Sequence, residues 1–501
     1  MKKLLIVAVA IGLLSGCSED FLDIKPTSKI DSRDVFQSKE AIDAFRSGMY
    51  GSINYNGDGS LFSTHLPILG DILGNDMVYG FTWMQVWNNA YSYNVGATSS
   101  EPNALWSGLY YFQETANTLI KNDLKALDES LAKQYKAEAK AMRAYAHVSV
   151  ARFFGKAYHL DNGASKALPY VDYVDYNALP ARNTMAEIYA KAIKDLTEAI
   201  PDLPTSKNNE YYMNANAAHA VLAQIYADMH DYSNARLHAR EAINGVALYT
   251  TSEYKNGFAK VTPGREAIMA FNTDPEKYYK WRTFNSFHDS WDGMGDDFLA
   301  NSSLVSLFDD GGGVDANADI RAGFFLDERY YYKYYGGNVY GGKSYPISVL
   351  KTTAEQVKGY YTYGKFPRKD VKVGVSRGTL GTGDYIIIRA SEMALLIAEC
   401  DAILGDNNTE AQDILFAIES RCYPAAVKTT EVGANLLSLI KVETRKEMFG
   451  EGHGIRNIKR WGDGLHRDGS QPELLDLEPN DPRFVWPVPE SEINTNPNLL
   501  N

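Results

Sequence analysis

The sequence predicts a mostly α-helical protein, built from tetratricopeptide-like helical hairpins with long irregular, aromatic-rich loop insertions and a few short strands. Helical patterns recur in pairs joined by short turns, and in the segment 216–229 small alanines alternate with large apolar residues. Between the pairs, two long stretches lose their periodicity yet stay rich in aromatic residues, in a chain with 34 Tyr and 7 Trp. Because this aromatic content argues against disorder, we expect ordered insertions on a helical scaffold.

The first sixteen residues have the pattern of a targeting segment rather than of folded structure. Two lysines precede an apolar run at 4–14 that is too short to span a bilayer but typical of a secretory signal. The run ends in Leu-Ser-Gly before Cys17, the pattern of a bacterial lipoprotein cleavage site. We therefore expect residues 1–16 to be removed and Cys17 to become a lipid-modified first residue that anchors the mature chain to a membrane.

The composition excludes some classes of partner. The formal net charge is −13, and loss of Lys2 and Lys3 with the signal peptide makes the mature chain more acidic still. A chain of this kind without basic runs is not expected to bind nucleic acid or anionic lipid surfaces. Only Cys400 and Cys422 remain after Cys17. They lie on successive predicted helices, so a disulfide is geometrically possible, but two buried thiols are the alternative that we expect.

Helix signals mark the scaffold in chain order. Ser38 is a predicted N-cap of a helix that runs to Tyr50, and Thr184 with Glu187 is a predicted capping box of a helix that stops at Pro201. Further helices are predicted over 104–120, 131–154, 216–229, 232–243 and 385–400, with two more before residue 450. We expect one domain over residues 17–501, with a hairpin scaffold at about 38–54, 104–244 and 385–461 and ligand-loop insertions at about 55–103 and 255–384.

The sequence lacks the common catalytic and cofactor motifs. It has no H-E-x-x-H, C-x-x-C, G-x-S-x-G or phosphate-loop motif, and its nine His are scattered. The glycine-rich segment 450–454 follows a helix rather than a strand, which predicts a tight turn instead of a nucleotide loop. The acidic segment 315–319 resembles half of a calcium loop without its glycine, and we expect Asp319 to pair with Arg321 instead. We therefore predict a protein that is not an enzyme and uses no cofactor or metal, although 63 Asp and Glu leave a carboxylate-pair hydrolase open.

Two irregular stretches have the residue types that a carbohydrate site needs. Sugar rings present C–H faces that stack on aromatic side chains, and hydroxyl groups that bind amides, carboxylates and guanidinium groups. The stretches 70–93 and 274–291 supply the predicted ligand-binding residues, which are Asn75, Asp76, Trp83, Trp87, Asn88, Tyr278, Tyr279, Trp281, Arg282 and Trp291. Burial under a long loop is the alternative for each ring, and we expect about a third of the rings to be exposed. A tyrosine-rich stretch at 330–337 is either a hairpin edge or a ligand rim.

Several distinctive segments follow one another in a fixed order. Lys-Ala-Met-Arg-Ala-Tyr at 140–145 precedes Arg-Phe-Phe-Gly at 152–155. The pattern E-x-x-x-E-x-F-x-E-G begins at Glu443, and Arg-Trp-Gly follows it at 460–462. Together with the lipoprotein pattern at Cys17, this order resembles the SusD/RagB family, the surface nutrient-binding lipoproteins of gut and oral Bacteroidetes-type bacteria.

The resemblance implies a function at the cell surface. It implies a lipid-anchored outer-membrane protein that faces the cell exterior, captures an oligosaccharide or polysaccharide and delivers it to a SusC-like TonB-dependent outer-membrane barrel. RagB-type relatives leave an oligopeptide receptor open, and a helical assembly scaffold without a ligand is the other alternative. Burial of all the loop tryptophans favours the scaffold, whereas their exposure favours glycan binding.

Overall fold

Helices dominate the part of the chain that the structure describes. This computed structural model describes residues 35–52, 61–79, 87–254, 258, 261–271, 298–308, 319–322, 384–467 and 475–500. The α-helices there are α1 Lys39–Ser52, α2 Leu66–Ile72, α3 Asn88–Tyr91, α4 Ser100–Lys121, α5 Glu129–Phe154, α6 Tyr158–Asp161, α7 Met185–Ala199, α8 Ala215–Asp228, α9 Tyr232–Ala242, α10 Thr251–Tyr254, α11 Ser302–Val305, α12 Ala390–Leu404, α13 Asn408–Cys422, α14 Gly433–Met448, α15 Gly454–Trp461 and α16 Glu490–Thr495. None of these helices has both the length and the apolar content that crossing a membrane requires. The predicted fold class is confirmed.

Neighbouring helices pack in a continuous series, as hairpins of this type do. α4 packs on α5, α5 on α7, α8 on α9, α9 on α12, and α12 on both α13 and α14. Small side chains let the helices approach closely, and the alanines at 217, 218, 220, 223 and 227 of α8 are all buried. The α9–α12 contact joins the C-terminal hairpins to those that precede the long insertion, so the scaffold is continuous across it.

Side-chain caps begin helices where the sequence predicts them. Ser38 Oγ accepts the backbone N–H of Ala41 at 3.2 Å. Thr184 Oγ1 accepts the N–H of Glu187 at 3.2 Å, and Glu187 Oε2 accepts the N–H of Thr184 at 2.9 Å. These bonds satisfy N–H groups that the first turn of a helix leaves without a partner, so local chemistry fixes both boundaries.

Short strands form three antiparallel pairs in the described residues. The pairs are β1 Met77–Tyr79 with β3 Phe298–Ala300, β2 Ala267–Phe271 with β4 Tyr385–Arg389, and β5 Leu465–His466 with β6 Asp476–Leu477. The helix predicted to begin at residue 385 is wrong in its first turn, because 385–389 form β4 and α12 begins only at Ala390. Tyr-Ile-Ile-Ile-Arg is rich in β-branched residues, which favour a strand once β2 supplies a partner.

The segment 61–79 is more regular than its sequence predicts. A π-helical turn at Leu61–His65 leads directly into α2, and β1 follows. Each of these elements is too short to show a hydrophobic periodicity in the sequence. Close backbone contacts, rather than a pattern of apolar side chains, determine how they pack. A Cβ atom on Gly70 would lie 2.2 Å from the carbonyl oxygen of Gly452, and Gly452 has a φ of +84°. The segment 450–454 is therefore the tight turn that the sequence predicts, and its glycines allow α2 to pack against it.

Both cysteines of the C-terminal hairpin are buried and free. Cys400 lies on α12 and Cys422 ends α13. Burial raises the pKa of the Cys422 thiol to about 11, so it stays protonated at neutral pH. The expected alternative of two buried thiols is confirmed.

Arg389, at the end of β4, is a fully buried cation. Its guanidinium donates to Glu451 at 2.7 Å, to Glu266 at 2.9 Å and to Glu447 at 2.6 Å. The three carboxylates come from the start of β2 and from the end of α14 and the turn that follows it. One buried side chain thus ties the β2–β4 pair to the C-terminal helices.

Arg321 anchors a short piece of the long insertion to the scaffold in a similar way. It donates to Asp319 at 3.0 and 2.9 Å and to Glu447 on α14 at 3.1 Å. Burial acts to raise the pKa of Asp319, but the charges of Arg321 and Lys446 and the hydrogen bonds from Arg321 together lower that pKa. The predicted pairing of Asp319 with Arg321 is confirmed.

Candidate ligand-binding site

Strands β1 and β3 bring the two predicted ligand insertions together. β1 belongs to the insertion at 55–103 and β3 to the insertion at 255–384. Their antiparallel register pairs Met77 with Ala300 and Tyr79 with Phe298. The pairing therefore places the end of β1 beside the start of β3, and at each of these points one end of an aromatic stretch joins the described chain.

Asn301 fixes this junction to the turn that precedes β1. Its backbone N–H donates to the carbonyl oxygen of Asp76 at 3.0 Å, and its side-chain amide donates to the carbonyl oxygen of Asn75. Its side-chain oxygen accepts the N–H of Leu304 at 2.9 Å and thereby starts α11. One buried amide side chain thus links the two insertions and the first helix after β3.

The predicted residues Asn75 and Asp76 lie side by side in this turn, both half-buried. Arg445 on α14 donates its Nε–H to Asp76 Oδ1 at 3.1 Å, and its Nη2 donates to the same carboxylate. The charge of Asp76 raises the pKa of Arg445. Asn75 Oδ1 accepts the backbone N–H of His466 at 3.0 Å. The scaffold thus holds both polar groups in fixed positions.

A cavity of about 160 Å³, which we call the groove, opens beside this turn. Asn75 and Asp76 line the groove from one side, and α14, α15 and the turns next to them contribute Arg445, Phe449 and Trp461. Aromatic surface next to an amide and an ion pair is what a sugar subsite requires. The groove thus joins two predicted site residues with an aromatic residue that the prediction omits.

That omitted aromatic residue, Trp461, is half-buried and firmly positioned. Its indole N–H donates to Glu399 Oε2 at 3.1 Å. Lys441 Nζ lies 5.1 Å from the ring centroid and donates to Asp463 at 2.8 and 2.9 Å. The sequence marks Trp461 only as part of the Arg-Trp-Gly segment, and nothing in its local pattern shows that the indole borders a cavity.

Asp71, on α2, is a buried carboxyl group in the wall of the groove. It accepts the backbone N–H of Gly452 at 2.8 Å. Burial raises the pKa of Asp71 to about 8, and this effect exceeds the opposite effect of the Gly452 hydrogen bond. Asp71 therefore carries a proton in the folded protein at neutral pH.

Trp87 and Asn88, the other predicted residues of the first stretch, do not line the groove. Trp87 is only 8% exposed and packs edge-on against His65, with ring centroids 6.0 Å apart. Asn88 is half-buried at the start of α3, and its carbonyl oxygen accepts the Ser92 hydroxyl at 2.6 Å. Trp87 is therefore buried rather than exposed, and little of its ring surface is left for a ligand.

The remaining predicted residues lie outside the described residues. These are Trp83, Tyr278, Tyr279, Trp281, Arg282 and Trp291, together with Cys17 and the tyrosine-rich stretch 330–337. In the part of the chain that is described, no group of three or more His, Cys, Asp or Glu side chains is arranged to hold a metal ion.

Two family models match the chain. One, described as starch-binding associating with outer membrane, matches residues 20–227. The other, described as the SusD family, matches residues 220–501, which is more than half of the chain. No curated protein matches the sequence.

Solved structures share the fold along nearly the whole length. A SusD superfamily protein from Bacteroides thetaiotaomicron has a TM-score of 0.76 at 22% identity, over 92% of this chain and 99% of its own. One from Bacteroides fragilis has a TM-score of 0.75 at 22% identity, over 93% and 100%. A SusD-like carbohydrate binding protein from Bacteroides vulgatus has a TM-score of 0.72 at 18% identity, over 92% and 97%. At these identities the likeness shows the fold.

Proposed function

The chain belongs to the SusD family, and from this premise we propose that it is a carbohydrate-binding lipoprotein of the cell surface. It captures an oligosaccharide or polysaccharide and delivers it to a SusC-like TonB-dependent outer-membrane barrel. Cys17 carries the lipid that anchors it to the outer membrane, with the ligand loops facing the cell exterior. The mature chain, residues 17–501, acts as a single domain that binds its ligand without catalysing a reaction.

The observation that carries this proposal is the pairing of β1 with β3. Trp83 is four residues from Tyr79, and Trp291 is seven residues from Phe298, the residue that pairs with Tyr79. Since an extended chain spans at most about 3.6 Å per residue, connections of four and seven residues reach at most about 14 and 25 Å from those strand ends. Two aromatic stretches that are far apart in sequence therefore attach to one end of one strand pair.

The groove supplies polar groups near the same strand pair. Asn75 and Asp76 immediately precede β1, and Arg445 and Asn301 hold them. A fixed amide and a carboxylate paired with a guanidinium suit the hydroxyl edge of a sugar ring, while the aromatic rings suit its C–H face. We propose that the ligand spans the aromatic stretches and reaches into the groove.

The comparisons support a sugar as the ligand class. One matching family model is described as starch-binding, and one similar structure is that of a carbohydrate binding protein. Each aromatic stack contributes about 0.5–1.5 kcal/mol beyond burial of its area. Two or three stacks with hydrogen bonds correspond to an affinity of about micromolar or weaker, which suits a receptor that must release its ligand to a transporter.

Affinity-gel electrophoresis against a polysaccharide panel tests the ligand class. The protein for this test is the chain without its signal peptide and with Cys17→Ser, so that no lipid is attached. We expect retardation by one polymer and none by the others. Failure of every polysaccharide, combined with binding to a peptide library, would replace the glycan by an oligopeptide.

Two further measurements test the remaining parts of the proposal. A reducing-sugar assay after prolonged incubation with the retarding polymer should detect no product, and product formation would contradict a binding protein. A pull-down of the lipidated protein from native membranes should recover a TonB-dependent barrel, with the Cys17→Ser protein as the control for the anchor. Recovery of the lipidated protein without any barrel would contradict the delivery role.

A further inference from the structure

Helix α15 lies between two separate cavities. Its residues Gly454, Asn457, Ile458 and Trp461 line the groove, whereas Ile455, Arg456, Lys459 and Arg460 line a second cavity of about 100 Å³. With 3.6 residues per turn, these two sets occupy opposite faces of the helix. The second cavity, which we call the α15 cavity, is therefore not an extension of the groove.

More basic than acidic side chains line the α15 cavity, although the whole chain carries a net charge of −13. Arg152, Lys156, Arg456, Lys459 and Arg460 line it, against the acidic residues Asp228 and Glu451. Three of these cations are already in ion pairs, Arg152 with Asp228, Arg456 with Glu392 and Arg460 with Glu399, and burial lowers the pKa of Lys459 to about 7. Lys156, which is exposed and has no ion pair within the described residues, adds positive charge at the edge of the cavity and favours an anionic ligand.

One guanidinium group in this lining, that of Arg456, has a buried N–H donor that is not used. Arg456 donates through Nη2 to Glu392 at 2.7 Å, but its buried Nε has no hydrogen-bond partner among the described residues. Arg152, by contrast, is already paired, since it donates through Nε to Asp228 at 2.8 Å and its Nη2 lies 2.7 Å from the same carboxylate. A buried donor without an acceptor is unfavourable, so Arg456 Nε points to a missing acceptor.

The walls and the size of the α15 cavity suit a ring. Phe62 stacks on Tyr145 with centroids 5.4 Å apart, and Tyr158 stacks on Tyr189 at 5.6 Å. All four rings line the cavity, and the exposed Lys156 lies at its edge. A volume of about 100 Å³ corresponds to roughly seven to ten water-sized spheres, which is close to the size of one six-membered ring with a carboxylate.

We propose that the α15 cavity is a second ligand site, distinct from the groove, which binds a single-ring carboxylate. The ring lies between the aromatic walls. The carboxylate accepts a hydrogen bond from Arg456 Nε, since guanidinium groups form charge-assisted hydrogen bonds with carboxylates, and the charge of Lys156 attracts it at the edge. The site does not depend on the identity of the polymer in the groove.

Isothermal titration calorimetry on the lipid-free chain tests this site with benzoate and D-glucuronate as probes. Benzamide and D-glucose are their neutral matches, and inorganic phosphate tests whether an anion without a ring suffices. We expect at least one carboxylate to bind about tenfold more tightly than its neutral match. Arg456→Lys keeps the charge but removes the Nε donor, and should weaken that binding by about tenfold.

Lys156→Gln removes an exposed charge at the edge of the α15 cavity without disturbing buried contacts, and should weaken binding severalfold. Lys207→Gln, a matched change at an exposed lysine outside both cavities, should leave binding unchanged. Absence of carboxylate binding to the native chain would overturn the proposal. So would equal binding of the neutral match, binding of phosphate alone, or affinities that both Arg456→Lys and Lys156→Gln leave unchanged.

Discussion

Arg389 shows how much the stability of this fold depends on single buried charges. Its guanidinium is only 1% exposed, and Glu266, Glu447 and Glu451 surround it. Burying a charge is costly unless partners neutralise it. Arg421 also contacts Glu266 and Glu447, and Arg321 also contacts Glu447, but removal of Arg389 leaves three buried carboxylates with one cation fewer.

Arg389→Ala is expected to lower the free energy of unfolding by about 3–5 kcal/mol, because it removes a cation that compensates buried carboxylates. Chemical denaturation measures this loss. Lys125→Ala is the control, since it breaks an ion pair with Asp123 at the exposed surface and should leave stability unchanged. Similar stabilities of the two variants would contradict the network as a structural element.

The raised pKa of Asp71 makes the free energy of unfolding depend on pH, and it determines the sign of that dependence. Between its unfolded value near 4 and its folded value of about 8, the folded state holds a proton that the unfolded state releases. Its contribution to stability is therefore complete below pH 4 and is lost as pH rises to 8, by up to about 1.4 kcal/mol per unit. Asp71→Asn keeps an oxygen that accepts the N–H of Gly452 but does not titrate. This variant should therefore not show the loss of stability between pH 4 and pH 8 that Asp71 causes.

Chemical denaturation of the native chain and of Asp71→Asn at pH 5 and pH 8 isolates the contribution of Asp71. The contributions of the other titrating groups are the same in both proteins, so they cancel when the two pH-dependent changes in stability are subtracted. The native chain should lose more stability than the variant between the two values. Equal losses would mean that Asp71 is already ionised at pH 5.

At the scale of elements, the β1–β3 pair is the feature on which the binding site depends. Each strand has three residues, so side-chain anchoring must supplement the ladder. Asn301 provides that anchoring through Asn75, Asp76 and Leu304. The alignment of the two insertions therefore depends on one amide.

Asn301→Ala should reduce glycan affinity by roughly fivefold, since the loss of about 1 kcal/mol of hydrogen bonding loosens the junction. Asn498→Ala is the matched control, because Asn498 also donates its amide to a backbone carbonyl, that of Leu179 at 2.7 Å, near the C-terminus. Calorimetric titration with the retarding polysaccharide compares them. Equal affinities would show that the insertions align without Asn301.

The elements differ in how far the sequence could predict them. Helices that begin at Ser38 and Thr184 carry their own caps, so local pattern suffices. An apolar run such as 385–389 fits a buried helix as well as a strand, and only the distant partner β2 decides between them. The pairing of β1 with β3 and the place of Trp461 beside Asp76 depend on long-range packing, which leaves no local pattern.

For the whole molecule, the scaffold and the insertions have different tasks. The hairpins form a continuous core, from α4 through α9 to α12, α13 and α14. The insertions are attached to that core through Arg321, which donates to Glu447 on α14, and through Asp76, which pairs with Arg445. Helix α15 then separates the groove from the α15 cavity, so one scaffold serves two proposed sites.

The central claim is that the two aromatic stretches, joined by β1 and β3, form one glycan site. The measurement that tests it most directly is calorimetric titration of one length-defined oligosaccharide into the native chain, Trp83→Ala, Trp291→Ala and Tyr176→Ala. Tyr176 is 78% exposed and packs along α4 through a 2.8 Å hydrogen bond to Glu114, so it controls for loss of an exposed ring. We predict one binding site, at least fivefold weaker binding in each tryptophan variant, and native affinity in Tyr176→Ala. Native affinity in either tryptophan variant would contradict a single site built from both stretches.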